Sequence, residues 1–236
     1  MQNGKLAIIT ARGGSKRIPL KNIKEFCGKP IISYSIEAAL KSRLFGEVMV
    51  STDSREIADI AIQAGASVPF LRSSANSDDF ATTKDALVEV LDEYARRGFF
   101  YDEVCCIYPT APFVTSEKLI GANALHEDGV DTVLSVTRFS FPPQRGMVIA
   151  EERLEYWQLE NANRRSQDLE PVFHDAGQFY FCRTKALHAC ETLLGNFARG
   201  FEVSELEVQD IDSYIDWELA ELKYERMVKN GGKQTA

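Results

Sequence analysis

The chain has no GxxxxGK[ST] stretch and no GxGxxG. The first absence argues against a P-loop NTPase, the second against a classical dinucleotide-binding dehydrogenase. There is no GxSxG elbow to present a serine nucleophile. Five cysteines (Cys27, Cys105, Cys106, Cys182, Cys190) form no CxxC pair. They read as reduced, mostly buried thiols rather than a zinc site. Cys105 and Cys106, adjacent in a strand-like run, are expected on opposite faces of a sheet. No apolar run approaches the roughly 18 residues that a membrane span needs. No secretory hydrophobic region follows Met1, so a cytoplasmic protein with no membrane partner is expected. The net charge of −8 argues against a general nucleic-acid binder.

What is present is concentrated near the start. Leu6 to Ile9 is an apolar, β-compatible run. It leads into Ala11, Arg12, Gly13, Gly14, Ser15 and Lys16. From Arg12 to Lys29 there are six basic residues and one acid, a local charge of +5. Glycines let backbone N–H groups approach a ligand closely, and the cations supply opposite charge. A charge reversal of this kind after a first strand reads as a polyphosphate site, with Arg12, Lys16 and Lys21 as its cations.

Further along, strand and helix alternate. Pro30 to Ser42 reads as a helix, Glu47 to Ser51 as a strand, Arg55 to Ala64 as a helix, and Val68 to Leu71 as a short strand. A polar loop runs from Arg72 to Thr82, followed by an amphipathic helix from Thr83 to Arg97. Val104 to Tyr108 is apolar throughout, as a central parallel strand should be. Glu117 to His126 reads as a helix and Thr132 to Val136 as a strand. This order predicts an α/β doubly wound sheet, with loops converging at the carboxyl ends of its strands. Residues 139–172 are rich in proline, aromatics and charge, and read as an excursion from one 236-residue domain. Gly177 to Cys182 resumes a buried strand, and Thr184 to Thr192 reads as a helix. Val208 to Asp212 reads as extended. Ser213 to Val228 is a closing helix with Ser213 as N-cap, and Gly231 to Ala236 a frayed tail.

Two further features carry chemistry. Asp210 and Asp212 are two apart in an extended segment, so they share a face about 7 Å apart. Such a pair can serve one hard cation, and Mg²⁺ commonly takes one or two carboxylates with waters and phosphates beside them. The bland alternative is a pair of surface or capping acids. His174 beside Asp175 is either an acid–base or substrate contact, or a structural histidine at a strand start. His126 and His188 read as packing or surface residues. No residue stands out as a general base.

Taken together, these residues resemble the CMP-N-acylneuraminate synthetase family, the cytidylyltransferases of nine-carbon acidic sugars. ARGGSKRIPLKN is similar to its signature loop, and the Arg72 loop, PTAPF and QDID follow in the family's order. Arg164 to Phe181 resembles the pseudaminic acid branch most. Sialic acid enzymes usually have a PNG-type triplet where this chain has Asp175-Ala176-Gly177, and Gln where it has Tyr108. The resemblance implies a Rossmann-like nucleotide-diphosphosugar transferase fold, mainly parallel, with helices flanking the sheet. It implies a homodimer in which 139–172 reaches the partner's site. It also implies attack of the sugar's anomeric hydroxyl on the α-phosphate of CTP. On that reading Asn22, Arg72, Ala81 and Thr83 surround the nucleotide, with Ala11 to Lys16. Tyr108, Arg165, Gln167 and His174 face the sugar, and Asp210 and Asp212 hold Mg²⁺. The rivals are N-acetylneuraminic, legionaminic or 3-deoxy-octulosonic acid as substrate, or a nucleotide-binding regulator without catalysis. Intact Lys16, Lys21, Asp210 and Asp212 argue against the regulator.

Overall fold

Leu6 to Ile9, the centre of strand β1 (Lys5–Thr10), are fully buried. Both faces of the sheet are covered there, which is why the run is continuously apolar and not alternating. The computed structural model describes residues 4–77 and 81–231. Residues 1–3, 78–80 of the polar loop and 232–236 of the expected tail lie outside the described residues.

In chain order, β1 is followed by a small antiparallel pair, β2 (Glu25–Phe26) and β3 (Lys29–Pro30). Then come α1 (Ile32–Ser42), β4 (Glu47–Ser51), α2 (Arg55–Gln63), α3 (Thr83–Arg96) and β5 (Glu103–Ile107). Next are α4 (Ser116–Leu125), β6 (Thr132–Arg138), β7 (Met147–Ala150) and β8 (Arg153–Tyr156). The chain closes with β9 (Phe173–Arg183), α5 (Thr184–Ala189), β10 (Ala198–Glu202) and α6 (Tyr214–Gly231).

Six strands form one sheet in the order β10-β6-β9-β5-β1-β4. β1 runs parallel to β4 and β5, and β10 runs parallel to β6. β9 lies antiparallel between β5 and β6. The fold is thus a mostly parallel α/β sheet flanked by helices, as expected. Cys105 packs into the core with Ile9, Ile36 and Phe181, and Cys106 into the opposite core with Ile8, Leu87 and Tyr94. The two adjacent thiols therefore do face opposite ways.

A third apolar cluster matters most for the site. Phe26 stands edge-on to Tyr34, Trp217 and Tyr224, at ring separations of 5.7, 5.5 and 5.6 Å. Such pairs contribute about 0.5–1.5 kcal/mol each beyond simple burial. They fasten α6 to the β2–β3 hairpin. Ile211 is buried in the same cluster, so its neighbours Asp210 and Asp212 lie at the mouth of the sheet's carboxyl end. The Ser213 cap forms as expected. Its Oγ accepts from Asp216 N at 3.3 Å, while the Asp216 carboxylate accepts from Ser213 N at 2.7 Å. This is a capping box in which both helix-start donors are satisfied.

One local expectation fails, and two segments take places that the sequence did not indicate. Val68 to Leu71 is not a strand: only Ser67 bridges to Met49. Pro69 has no N–H to extend the ladder. Val208 to Asp212 joins no sheet. Ala198–Glu202, with a glycine and two charges among five residues, is an edge strand that no local pattern signals. Its partner is the buried β6.

The excursion 139–172 carries the β7–β8 hairpin. All eight hairpin residues are exposed, including Ile149 at 77% and Leu154 at 66%.

Candidate active site

The sheet's carboxyl edge gathers the loops after β1, β4 and β5. A cavity of about 540 Å³ opens there, lined by Arg12, Gly14, Ser15, Lys16, Lys21, Asn22, Arg72, Ala81, Thr83 and Tyr108, among others. Nearly every expected nucleotide residue is thus on one wall or another. The chain makes its own scaffold for this loop. Asn22 Nδ2 donates to the Arg12 carbonyl at 2.8 Å, and Gly13 N donates to Asp53 Oδ1 at 2.8 Å. The Gly13 N–H is therefore committed to Asp53 and does not point at a ligand. A Cβ at Gly13 would stand 3.2 Å from the Ser54 Cβ, a tight contact from which the neighbour would have to shift by a few tenths of an ångström. A Cβ at Gly14 would meet nothing within 4 Å. Ala11 N is likewise committed, donating to the Ser51 carbonyl at 2.9 Å.

Arg72 is buried against β4. Its Nε donates to Ser51 Oγ at 2.9 Å and its Nη2 to the Ser51 carbonyl at 2.5 Å. Burial pushes this guanidinium below its ordinary value, and the Asp53 and Glu89 carboxylates oppose that. Lys21 donates to the Ile211 carbonyl at 2.6 Å and stands 3.9 Å from Asp212 Oδ1. Burial lowers the Lys21 pKa, while Asp212 and Asp210 pull it back up. Arg17, on the same loop, pairs with Asp212 at 2.7 Å. Five cations (Arg12, Lys16, Arg17, Lys21, Arg72) and one carboxylate, Asp212, are among the described lining residues. That balance suits a polyphosphate.

A second cavity of about 780 Å³ adjoins the first, with Tyr108 and Thr110 lining both. It holds Arg138, His174, Asp175, Glu205, Asp210 and Lys223. Asp210 thus lines the second cavity and Asp212 the first. Tyr108 sits at the boundary, its hydroxyl 3.0 Å from Thr83 Oγ1 and its ring 5.4 Å from that of Tyr180. Tyr180 OH donates to Asp175 Oδ2 at 2.5 Å, and Gly177 N to Asp175 Oδ1 at 2.7 Å. Burial, then the neighbouring Tyr108 and Asp175, push the Tyr180 phenol far up. It stays a protonated donor. Gly177 has φ +61, a conformation that favours glycine, so the Asp175–Gly177 turn is sequence-specific. His174 Nδ1 lies 2.9 Å from the Asp175 carbonyl, and its ring packs 4.7 Å from that of Phe139.

Gln167 lines a smaller neighbouring cavity with Arg138 and Phe139. Arg165 is not brought to these cavities within one protomer. It is exposed and pairs with Asp168 at 2.8 Å. Arg17, Thr110, Arg138 and Lys223 escaped the sequence reading as site residues. Arg17 lay in the basic run and Thr110 in PTAP, whereas Arg138 and Lys223 carry no local signal.

The donor set suits a hard, oxygen-preferring cation better than zinc. Among the described residues, no group of three or more His, Cys, Asp or Glu comes together. Two aspartates alone do not make a zinc site. They do fit Mg²⁺, which leaves its other positions to water and phosphate.

Comparison with known proteins gives the class first: the chain is a nucleotidyltransferase. It belongs to the cytidylyltransferase family, whose model matches residues 6–215. It is 39% identical to the pseudaminic acid cytidylyltransferase of Campylobacter jejuni, over 93% of this chain and 95% of that one. It is 34% identical to the CMP-N,N'-diacetyllegionaminic acid synthase of Legionella pneumophila, over 92% and 94% respectively. A solved CMP:2-keto-3-deoxy-manno-octonic acid synthetase complexed with CTP shares the fold. Its TM-score is 0.70 at 17% identity, covering 95% of this chain and 99% of that one. No helix among the described residues is long and apolar enough to cross a membrane.

Proposed function

We propose that this enzyme activates pseudaminic acid with CTP, giving CMP-pseudaminic acid and pyrophosphate. The anomeric hydroxyl oxygen attacks the α-phosphorus, the bond to the β-phosphate oxygen breaks, and the hydroxyl proton is lost to an acceptor not yet assigned. The observation that carries this reading is the joining of the two cavities. A cation-lined one meets a mixed-charge one at Tyr108 and Thr110. A nucleotide in the first presents its α-phosphate to a sugar in the second.

Phosphoryl-type transfer needs positioning and charge neutralisation more than a covalent catalyst. Arg12, Lys16 and Lys21 neutralise the triphosphate, and Arg72, Asn22, Ala81 and Thr83 enclose the nucleoside end. Lys21, half-shielded from water and held by the Ile211 carbonyl, is pre-aimed. Tyr108 and His174 orient the sugar. Asp210 and Asp212 would hold Mg²⁺, which when bound polarises the α-phosphate.

A homodimer and a cytoplasmic location complete the reading. The exposed apolar hairpin needs cover, and Arg165 and Gln167 lie on the same excursion as that hairpin, poised to serve a partner's site. The test is CTP-dependent pyrophosphate release against a panel of nonulosonic acids. Pseudaminic acid should give a far higher kcat/KM than N-acetylneuraminic acid. Equal or reversed values would overturn the choice of sugar and leave the reaction class intact.

A further inference from the structure

The stretch that leads into Asp210 and Asp212 crosses the mouth of the sheet without joining it. Backbone carbonyls in such a stretch have no strand ladder and must find donors elsewhere. Side chains from three other elements supply them. Gln178 of β9 donates from Nε2 to the Glu207 carbonyl at 2.6 Å. Lys118 of α4 pairs with the Glu207 carboxylate at 2.6 Å. Lys223 of α6 does the most. Its Nζ donates to the Val208 carbonyl at 2.7 Å, to Gln209 Oε1 at 3.1 Å and to the Glu205 carbonyl at 3.3 Å. An ammonium has three N–H donors, and here each has an acceptor.

Lys223 stands on a fixed base, because Trp217 and Tyr224 of the same helix pack edge-on against Phe26. The two aspartates are supported differently. Asp212 N donates to the Asp216 carboxylate at 3.1 Å, and the Asp212 carboxylate accepts from Arg17 at 2.7 Å. Asp210 lies on the other side of the buried Ile211, next to the residues that Lys223 holds. Lys223 lines the second cavity beside Asp210, yet its donors are turned to the chain.

We infer that Lys223, on the reading above that Asp210 and Asp212 hold Mg²⁺, is a positioning residue for the metal. It clamps residues 205–209 so that Asp210 is already in place when the cation arrives. A ligand held in advance loses less conformational freedom on binding.

Charge and position predict opposite signs here. Removing a cation near a metal site should tighten metal binding by Coulomb's law alone. Removing a clamp should weaken it, typically by about 10-fold or more for a group that orients a ligand. The test uses the full chain in excess over CTP, with sugar omitted so that nothing turns over. Mn²⁺ serves as probe, and electron paramagnetic resonance counts the free ion. Lys223→Met should weaken Mn²⁺ binding about 10-fold, with circular dichroism unchanged and CTP affinity in EDTA held within about twofold. On an Asp210→Asn background the same substitution should change Mn²⁺ affinity less than about twofold, because the ligand it positions is gone. Unchanged or tighter Mn²⁺ binding in Lys223→Met overturns the inference. So does a full further loss on the Asp210→Asn background. If the methionine variant does not fold, Lys223→Arg decides. It keeps the charge but not the three-acceptor geometry, and should weaken Mn²⁺ binding about threefold; unchanged binding there also overturns the inference. Asp210→Asn binding Mn²⁺ as tightly as wild type overturns the metal-site reading itself, a result distinct from any Lys223 outcome.

Discussion

The Arg12–Lys21 loop and the β7–β8 hairpin both project from the same sheet, and they are chemical opposites. In the loop, polar groups are answered within the chain: Gly13 by Asp53, the Arg12 carbonyl by Asn22, Arg17 by Asp212, Lys21 by the Ile211 carbonyl. In the hairpin, Met147, Val148, Ile149 and Leu154 are exposed. Water can solvate a charged loop indefinitely, but an apolar ribbon gains from cover. The loop is braced by the chain's own groups. The hairpin is unfinished until something apolar packs on it.

The largest expected effect tests the loop's acidic counterpart. Asp212→Asn and Asp210→Asn are nearly isosteric and remove only charge. Each should fold normally yet lose about 10³-fold in rate, since metal-assisted charge stabilisation is worth several kcal/mol. The Mg²⁺ requirement should rise as well, which a titration of rate against Mg²⁺ would show. Wild-type rates in both variants would reduce the pair to capping or surface acids. Lys21→Ala comes next, with a loss of about 10²-fold as one pre-aimed contact disappears. Circular dichroism should stay unchanged, and a loss under about threefold would place Lys21 outside the machinery.

The hairpin is tested by adding charge to it. Ile149→Asp with Leu154→Asp should convert a species near twice 26.5 kDa into one near 26.5 kDa by light scattering. Activity should fall with the mass, because Arg165 and Gln167 reach no partner in a monomer. A monomeric variant with full activity would break the proposed link between hairpin and site.

The smallest effect lies at the opposite end of the sheet, where charge is internal. Glu103 accepts from Lys5 at 2.7 Å and from Arg183 at 2.6 Å, with buried His126 Nδ1 3.3 Å away. Burial pushes the His126 imidazole below its ordinary value, and Glu103 pulls the other way without prevailing. The unfolded chain therefore binds the extra proton first as pH falls below the ordinary histidine value, near 6.5. Stability is full above that value and is lost as pH drops through the window beneath it. Denaturation midpoints between pH 7 and 5 should show that slope, and His126→Gln should flatten it. An identical slope in the variant would mean that carboxylates alone set the acid limit.

Much of the cation-rich loop was legible because its elements are contiguous: an apolar strand, two glycines and clustered cations within some twenty residues. Asp210-Ile211-Asp212 was legible as a pair of acids around an apolar residue. That Ile211 is the buried one became clear only from its packing against Trp217 and Phe26. The role of Gly13 was misjudged in detail, since its N–H serves Asp53, forty residues away.

By itself, then, the order of residues determined which strands are buried, which loops carry charge, and that a glycine-bearing, cation-rich loop follows the first strand. Periodicity and composition act over a few residues, and those properties are set over a few residues. Tertiary structure alone decided that β9 runs antiparallel between β5 and β6, bringing His174 and Asp175 beside Arg138 and Tyr108. It alone made a strand of Ala198–Glu202 and aimed Lys223 at three backbone and side-chain acceptors. Those placements depend on pairings between segments far apart in the chain, whose free energy comes from burying whole faces together and leaves no mark on any one segment.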